Sequence, residues 1–368
     1  MKSLLSWFIL IVSIAVLVSS CSSSEDILPE TTAPVIAEVT FVTTPTNDST
    51  PNYTFSSDEA GTITYGGSCS SSTTSAIDGN NTITLVSLSE GTYSNCTITV
   101  TDSAGNVSNS LTITSFIVDL TAATLVEVTA VTTPTNVTTP NYTFSSSEAG
   151  TITYGGSCSS STTSATTDNN TITLVSLSEG TYSNCTITVT DSAGNASSSL
   201  TMNSFVVDTT SPTVSSTSPS DSASSVSIGS TISVTFSESI DNSSVTANTS
   251  NTTCSESMQL SSNNFSSCIQ MSSTPSASNT NKTFSVTPSD NLSSETSYKI
   301  RVTTLVKDVV GNSMSNSYTT SNGFTSADIT SPILSQVTAV STPTNDNSSN
   351  YTFSSTEAGT ITYGGSCS

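Results

Sequence analysis

The sequence predicts an all-β protein made of tandem β-sandwiches, the last one incomplete. Three observations predict it. A 27-residue run at 80–106 recurs unchanged at 169–195, 89 positions later, and a repeat of that size suits one small sandwich. Apolar residues come in short alternating bursts, with no long 3.6-residue pattern past residue 20. The remainder is rich in Ser, Thr and Asn, which favour extended strands and polar turns.

Residues 1–20 stand apart from the fold. Met1 and Lys2 precede an apolar stretch from Leu4 to Val18, and Val18-Ser19-Ser20-Cys21 closes it. The stretch is short for a bilayer span. It resembles a bacterial lipoprotein signal with its lipobox. The resemblance implies cleavage before Cys21, a diacylglyceryl thioether on its sulfur and an acyl chain (palmitate) on the new amino terminus, enough to anchor stably. Ser22 in place of Asp implies sorting to the outer membrane by the enterobacterial rule.

Residues 21–32 form a polar tether carrying Glu25, Asp26 and Glu30. The first module covers 33–119. Its pairs Val39/Phe41, Tyr53/Phe55, Ile63/Tyr65, Ile83/Leu85, Cys96/Ile98/Val100 and Leu111/Ile113 each place apolar side chains on one strand face. The second module, 120–208, repeats this with Tyr142/Phe144, Ile152/Tyr154, Ile172/Leu174 and Cys185/Ile187/Val189. A different unit at 211–328 has Ile232/Val234/Phe236, Phe284/Val286 and Tyr298/Ile300/Val302. A third copy of the repeat begins at 331 and runs through Tyr351/Phe353 and Glu357-Ala358-Gly359 to the last residue, 368.

Two stretches of the repeat, Leu88-Ser89-Glu90-Gly91-Thr92-Tyr93 and Thr101-Asp102-Ser103-Ala104-Gly105-Asn106, resemble the bacterial immunoglobulin-like domains of large surface proteins. Val207-Asp208-Thr209-Thr210-Ser211-Pro212 is similar to the junctions of such arrays. The unit at 211–328 resembles the Ig-like domain of surface-layer proteins (SbsA-like), through Pro212-Thr213-Val214, Ser218-Pro219, Phe236-Ser237-Glu238-Ser239-Ile240-Asp241 and Asp308-Val309-Val310-Gly311-Asn312. These resemblances imply Ig-like sandwiches throughout. For function they imply only spacers, adhesive modules or accessories to enzymes.

The net charge is -22, and Lys2, Lys282, Lys299, Arg301 and Lys307 are the only basic residues. Nucleic acid is therefore a poor partner, because little would neutralise its phosphates. Adhesion to anionic lipid through a basic face is equally disfavoured. The absence of His removes the commonest general base and neutral metal ligand near neutral pH.

Cys69 and Cys96 lie 27 apart, as do Cys158 and Cys185, and Cys254 and Cys268 make a third local pair. Paired cysteines in exported modules predict disulfides. Cys367 has no partner, since the repeat would place one at 394, past the end of the chain; this reads as a gene fragment with further domains beyond. The loops at Asp102 and Asp191 read first as turns. Their sharper reading is calcium, held by Asp102 or Asp191 with the junction carboxylates Asp119 or Asp208. Glu238, Asp241 and Asp308 invite the same reading, or that of a glycosidase acid pair, against a structural role. Tyr65, Tyr93, Tyr154 and Tyr182 are either a sugar-stacking platform or packing residues, with Tyr93 placed like a tyrosine corner.

The expected function is a cell-surface structural or adhesive lipoprotein, anchored in the membrane at Cys21 and without catalysis. Its ligand, where it has one, is a surface glycan or protein. The other reading is the non-catalytic N-terminal part of a larger surface enzyme, such as a polysaccharide hydrolase.

Overall fold

Residues 30–366 are described by the computed structural model; the signal, Cys21 and Cys367 lie outside them. Nine strands follow the sequence alternation through the first module: β1 (Ile36–Thr40), β2 (Asn52–Ser57), β3 (Gly61–Gly66), β4 (Ser75–Ala76), β5 (Gly79–Thr84), β6 (Gly91–Tyr93), β7 (Thr97–Thr101), β8 (Leu111–Thr112) and β9 (Phe116–Val118). They form sheets of order β1-β2-β5 and β4-β3-β7-β8, with β6 paired to β9. Register sets Tyr53 opposite Ile83 and Ile63 opposite Val100. Because side chains alternate, the inward residues of both sheets meet in one core of Tyr53, Phe55, Ile83, Ile63, Ile98 and Val100. Burial of each such side chain contributes about 1.5–3 kcal/mol.

One expected strand face is reversed. Val39 and Phe41 point outward, 46% and 61% exposed. The register slips between Glu38 and Thr40, leaving Val39 as the extra residue of a bulge. Glu38 takes the place opposite Phe55. Its carboxylate is satisfied there by Thr114, whose backbone N–H donates at 3.0 Å and whose hydroxyl donates at 2.6 Å. Two hydrogen bonds thus let a charged side chain turn inward where the alternation alone selects the apolar ones.

Cysteine positions follow the same alternation. Cys96 continues the inward parity of Ile98 and Val100, and the structure joins it to Cys69 with Cα atoms 5.2 Å apart. Cys158–Cys185 and Cys254–Cys268 have the same Cα separation. That distance lies inside the range a disulfide spans.

The chain divides into two compact units. One holds the chain up to Thr124 with Glu148–Thr151 and Val189–Ser198; the other holds Leu125–Ser147, Ile152–Thr188 and the chain from Ser199. The nine strands recur 89 residues on, from Leu125–Thr129 to Phe205–Val207. Within the second unit, Val214–Ser218, Ile232–Phe236, Thr283–Val286 and Ser276–Ser278 make one sheet. Met258–Ser261, Ser297–Val302 and Tyr318–Thr319 make another, with Phe324–Thr325 also on Ser297–Val302. Phe236, Phe284, Leu260, Tyr298 and Ile300 fill the core between them. One 3-10 turn, Asn242–Ser244, is capped by Asp241, whose carboxylate accepts from the Ser243 N–H. Further on, Leu334–Thr338 pairs with Thr352–Ser355, with Leu334 and Tyr351 exposed. No helix among the described residues is long and apolar enough to cross a membrane.

Candidate metal centre

Three loops share the pattern Asp-x-x-Gly-Asn and one geometry. Asp191 Oδ1 accepts from the N–H groups of Ala193, Gly194 and Asn195 at 2.8, 2.8 and 2.9 Å, and Oδ2 accepts from Asn195 Nδ2 at 2.9 Å. Asp308 is held in the same way by Val310, Gly311 and Asn312. Asp102 accepts from the backbone and side chain of Asn106, both at 2.8 Å. The turn needs glycine: Gly105, Gly194 and Gly311 have φ of +93°, +100° and +98°.

Each Asn then reaches outside its loop. Asn106, Asn195 and Asn312 donate to the backbone carbonyls of Glu30, Asp119 and Asp208 at 2.9, 2.9 and 3.0 Å. The acceptor is always the acidic residue that leads into the strands the loop belongs to. A junction carboxylate is thereby laid beside the loop aspartate.

A third acid completes the group at the Asp191 and Asp308 loops. Glu148 sits in the turn after Asn141–Ser146, and Glu238 follows Ile232–Phe236. One carboxylate oxygen each from Asp119, Glu148 and Asp191 lie within 4.8 Å of one another, and so do oxygens of Asp208, Glu238 and Asp308. Two oxygens bound to one calcium ion are at most about 5 Å apart, given bonds of 2.3–2.6 Å. The donors are all hard oxygens, without thiolate or imidazole, which fits calcium and not zinc. Asp191 and Asp308 each accept four hydrogen bonds, three on Oδ1, which leaves lone-pair capacity on Oδ2 for a cation.

Negative charge is concentrated at both groups. Burial raises the Glu148 carboxyl above its ordinary range, reinforced by Asp119, Asp191 and Glu90. Burial likewise raises Glu238, with Asp208, Asp308 and Glu179 adding to it against a weak opposing pull from Lys282. Asp191 is held low despite its burial, because Asn195 and the loop N–H groups stabilise the charged form.

Comparison with known proteins follows this geometry. Residues 43–120 and residues 208–326 each match a family model described as a bacterial Ig-like domain. The chain carries bacterial Ig-like domains. No curated protein matches it. Among solved structures it is similar to the N-terminal part of the bacterial S-layer protein SbsC, at 16% identity and TM-score 0.24, over 34% of this chain and 26% of that one. It is also similar to invasin, a bacterial integrin-binding protein, at 13% identity and TM-score 0.30, over 83% of this chain and 62% of invasin. A third is the Bacteroides ovatus mixed-linkage glucan utilization locus protein SGBP-B in complex with a mixed-linkage heptasaccharide, at 16% identity and TM-score 0.14, over 81% and 67%. The chain thus spans less than two thirds of SbsC's N-terminal part and of invasin. Likenesses at these scores say nothing of what this chain binds.

Within the Ig-like domains the sequence-selected residues fall into place as follows. The junction carboxylates join the loop of the strands that follow them: Asp119 meets Asp191 and Asp208 meets Asp308, while Asp102 faces Glu30. Glu148 was missed, although the recurring Glu-Ala-Gly turn at 59, 148 and 357 carried the signal. Asp241 caps a 3-10 turn and stands outside the cluster. Asp308 is 1% exposed with four donors on its oxygens, a poor setting for glycosidic acid–base work. Tyr93 and Tyr182 behave as tyrosine corners. Their hydroxyls donate to the carbonyls of Ser89 and Ser178 at 2.8 and 2.9 Å, and their rings stack on Phe116 and Phe205 at 5.3 Å. Tyr65 and Tyr154 donate to Thr73 and Thr162 carbonyls.

Proposed function

We propose that this chain is a cell-surface structural or adhesive lipoprotein whose Ig-like domains are tied to their leading segments by calcium, with no catalysis of its own. The observation that carries the reading is the repeated cluster in which a junction acid, a turn glutamate and a loop aspartate converge. A divalent cation there would link a domain's end loops to the segment that enters it. That is a stiffening role, and it suits a projecting stalk. Lipid attachment at Cys21 supplies the membrane end, on the strength of the lipobox pattern. Cys21→Ala is expected to abolish lipid labelling and release the exported chain from membranes; labelled lipid persisting on that variant would refute the anchor.

Thermal unfolding at neutral pH tests the cation. Calcium at about 100 times its Kd stabilises a site by about 2.7 kcal/mol relative to chelator. Without the cation, folding raises the proton affinity of Glu148 and Glu238. Stability is therefore lowest above their folded pKa values, and rises as pH falls through them toward the ordinary glutamate value of 4.5. Asp191 opposes this trend only at lower pH, because its depressed pKa makes its contribution disappear below the ordinary value of 3.8. Calcium should flatten the acid-side gain. Identical melting in calcium and chelator across this pH range would sink the proposal.

A further inference from the structure

The four basic residues among the described positions, Lys282, Lys299, Arg301 and Lys307, all fall in the Ig-like domain matched at 208–326, within a chain of net charge -22. Two of them share a strand face. Ser297–Val302 sends Tyr298, Ile300 and Val302 into the core, so Lys299 and Arg301 stand together on the outside. The neighbouring strand sets Gln259 opposite Arg301 and Ser261 opposite Lys299.

Arg301 is held in advance of any ligand. Its Nε donates to Gln259 Oε1 at 2.7 Å, and its guanidinium lies 4.0 Å from the centroid of the Phe265 ring. Phe265 and Asn264 sit at φ of +66° and +56°, a sparsely populated region for such residues that persists only when the surroundings hold it. Ser261 does so: its hydroxyl accepts from the Phe265 N–H at 2.9 Å and donates to the Ser267 carbonyl at 2.7 Å. The disulfide to Cys268 closes the same loop. The Nη groups of Arg301 and the ammonium of Lys299 have no acceptor among the described residues.

Lys299 lines a depression of about 230 Å³ together with Ser261, Ser262, Asn264, Ser297 and Asn322, and Arg301 stands two residues further along the same strand face. The wall of the depression is hydroxyls, amides and one ammonium. Gly323 keeps the Asn322 loop against the lysine stem, since a Cβ there would meet the Tyr298 carbonyl at 2.1 Å and Lys299 Cγ at 3.1 Å.

We propose that this face binds a uronic-acid-bearing polysaccharide. The free edge of Arg301, with Lys299, takes the sugar carboxylate, and the serine and asparagine groups take ring hydroxyls. Guanidinium Nη groups match a planar carboxylate bidentately, which favours an anionic ligand over a neutral one. The face of Phe265 is already covered by Arg301, so stacking of a neutral sugar there is not on offer. An acidic peptide fits less well. Ser297–Val302 is paired on both sides, so no strand edge is open for peptide backbone, and the depression has no apolar wall for side chains. The proposal deepens the surface-protein reading by naming a ligand class, and rests on it only for the presence of such a polymer nearby.

The test titrates the full chain, in chelator to exclude calcium bridging, with tetragalacturonate, its neutral methyl ester and a hexaglutamate peptide. Tetragalacturonate should bind, weaken with added salt, and exceed both other probes by at least about 10-fold. Arg301→Gln and Lys299→Gln should each weaken it by about 10-fold, the loss expected for a charge-assisted contact. Lys282→Gln and Lys307→Gln make the same charge change in the same domain and should leave affinity unaltered. No binding, equal binding of the ester or peptide, or equal loss from the Lys282 and Lys307 variants would overturn the site. Calcium stabilisation and membrane attachment are measured separately, so their persistence alongside a failed titration removes this site and leaves the surface reading standing.

Discussion

Replacing Cys69 and Cys96 together by alanine is expected to loosen the first Ig-like domain by about 3–4 kcal/mol, the chain-entropy value for a loop of this length. The loss is large because the domain is small and buries a correspondingly small core. The bridge also crosses a part of the domain that local pairing leaves weak. It ties the loop after β3 to the start of β7, where Gly67 is pressed against the Asn95 carbonyl. Hydrogen exchange of β7 is the measurement. Its amides should exchange roughly two to three orders of magnitude faster at a cost of 3–4 kcal/mol. The copy bridged by Cys158–Cys185 is an internal reference with the same 27-residue text, and the Cys96 substitution itself gives the variant peptide a distinct mass. Unchanged protection in β7 would show that the bridge constrains the unfolded chain very little.

Asp308→Ala is the second large effect, expected to cost about 3 kcal/mol or more. Asp308 is buried, and three backbone N–H groups and the Asn312 amide all donate to it. Removing the carboxylate leaves those part-buried donors without their acceptor, at up to about 1–3 kcal/mol each where water cannot replace it. It also releases the Asn312 contact to the Asp208 carbonyl. Asp308→Asn keeps an oxygen for the backbone groups but turns an amide toward the Asn312 amide, so its cost is smaller, about 1–2 kcal/mol. The equivalent Asp102→Ala should cost less than Asp308→Ala, because the Asp102 loop is partly exposed and water can replace the lost acceptor. Denaturant unfolding monitored by exchange in Ser297–Val302 for the two Asp308 variants, and in β7 for Asp102→Ala, separates the three. Equal costs for Asp102→Ala and Asp308→Ala would mean that burial of the loop does not set its energetics.

Much of the fold was legible because its determinants are local. Alternation at Tyr53/Phe55 or Ile98/Val100 assigns faces without knowledge of the partner strand, since the side-chain period of a strand is two. The same rule misplaced Val39 and Phe41. There a bulge and the Thr114 donors let Glu38 take the inner position; the bulge depends on pairing with β2, and the donors come from a segment 76 residues away. The site divides in the same manner. Asp102, Asp191, Glu238 and Asp308 stood out in the sequence as candidates, but Glu148 did not.

By itself, the sequence determined an all-β chain, the repeat, the parity that points Cys96 and Cys185 inward, and the scarcity of basic residues. Each follows from composition or from spacing within one strand or loop. Only the tertiary structure decided which acids converge, that Glu38 replaces Val39 at the core face, and that Lys299 lines a polar depression. Those facts depend on how sheets and loops distant in sequence converge, and a two-residue periodicity carries no information about that.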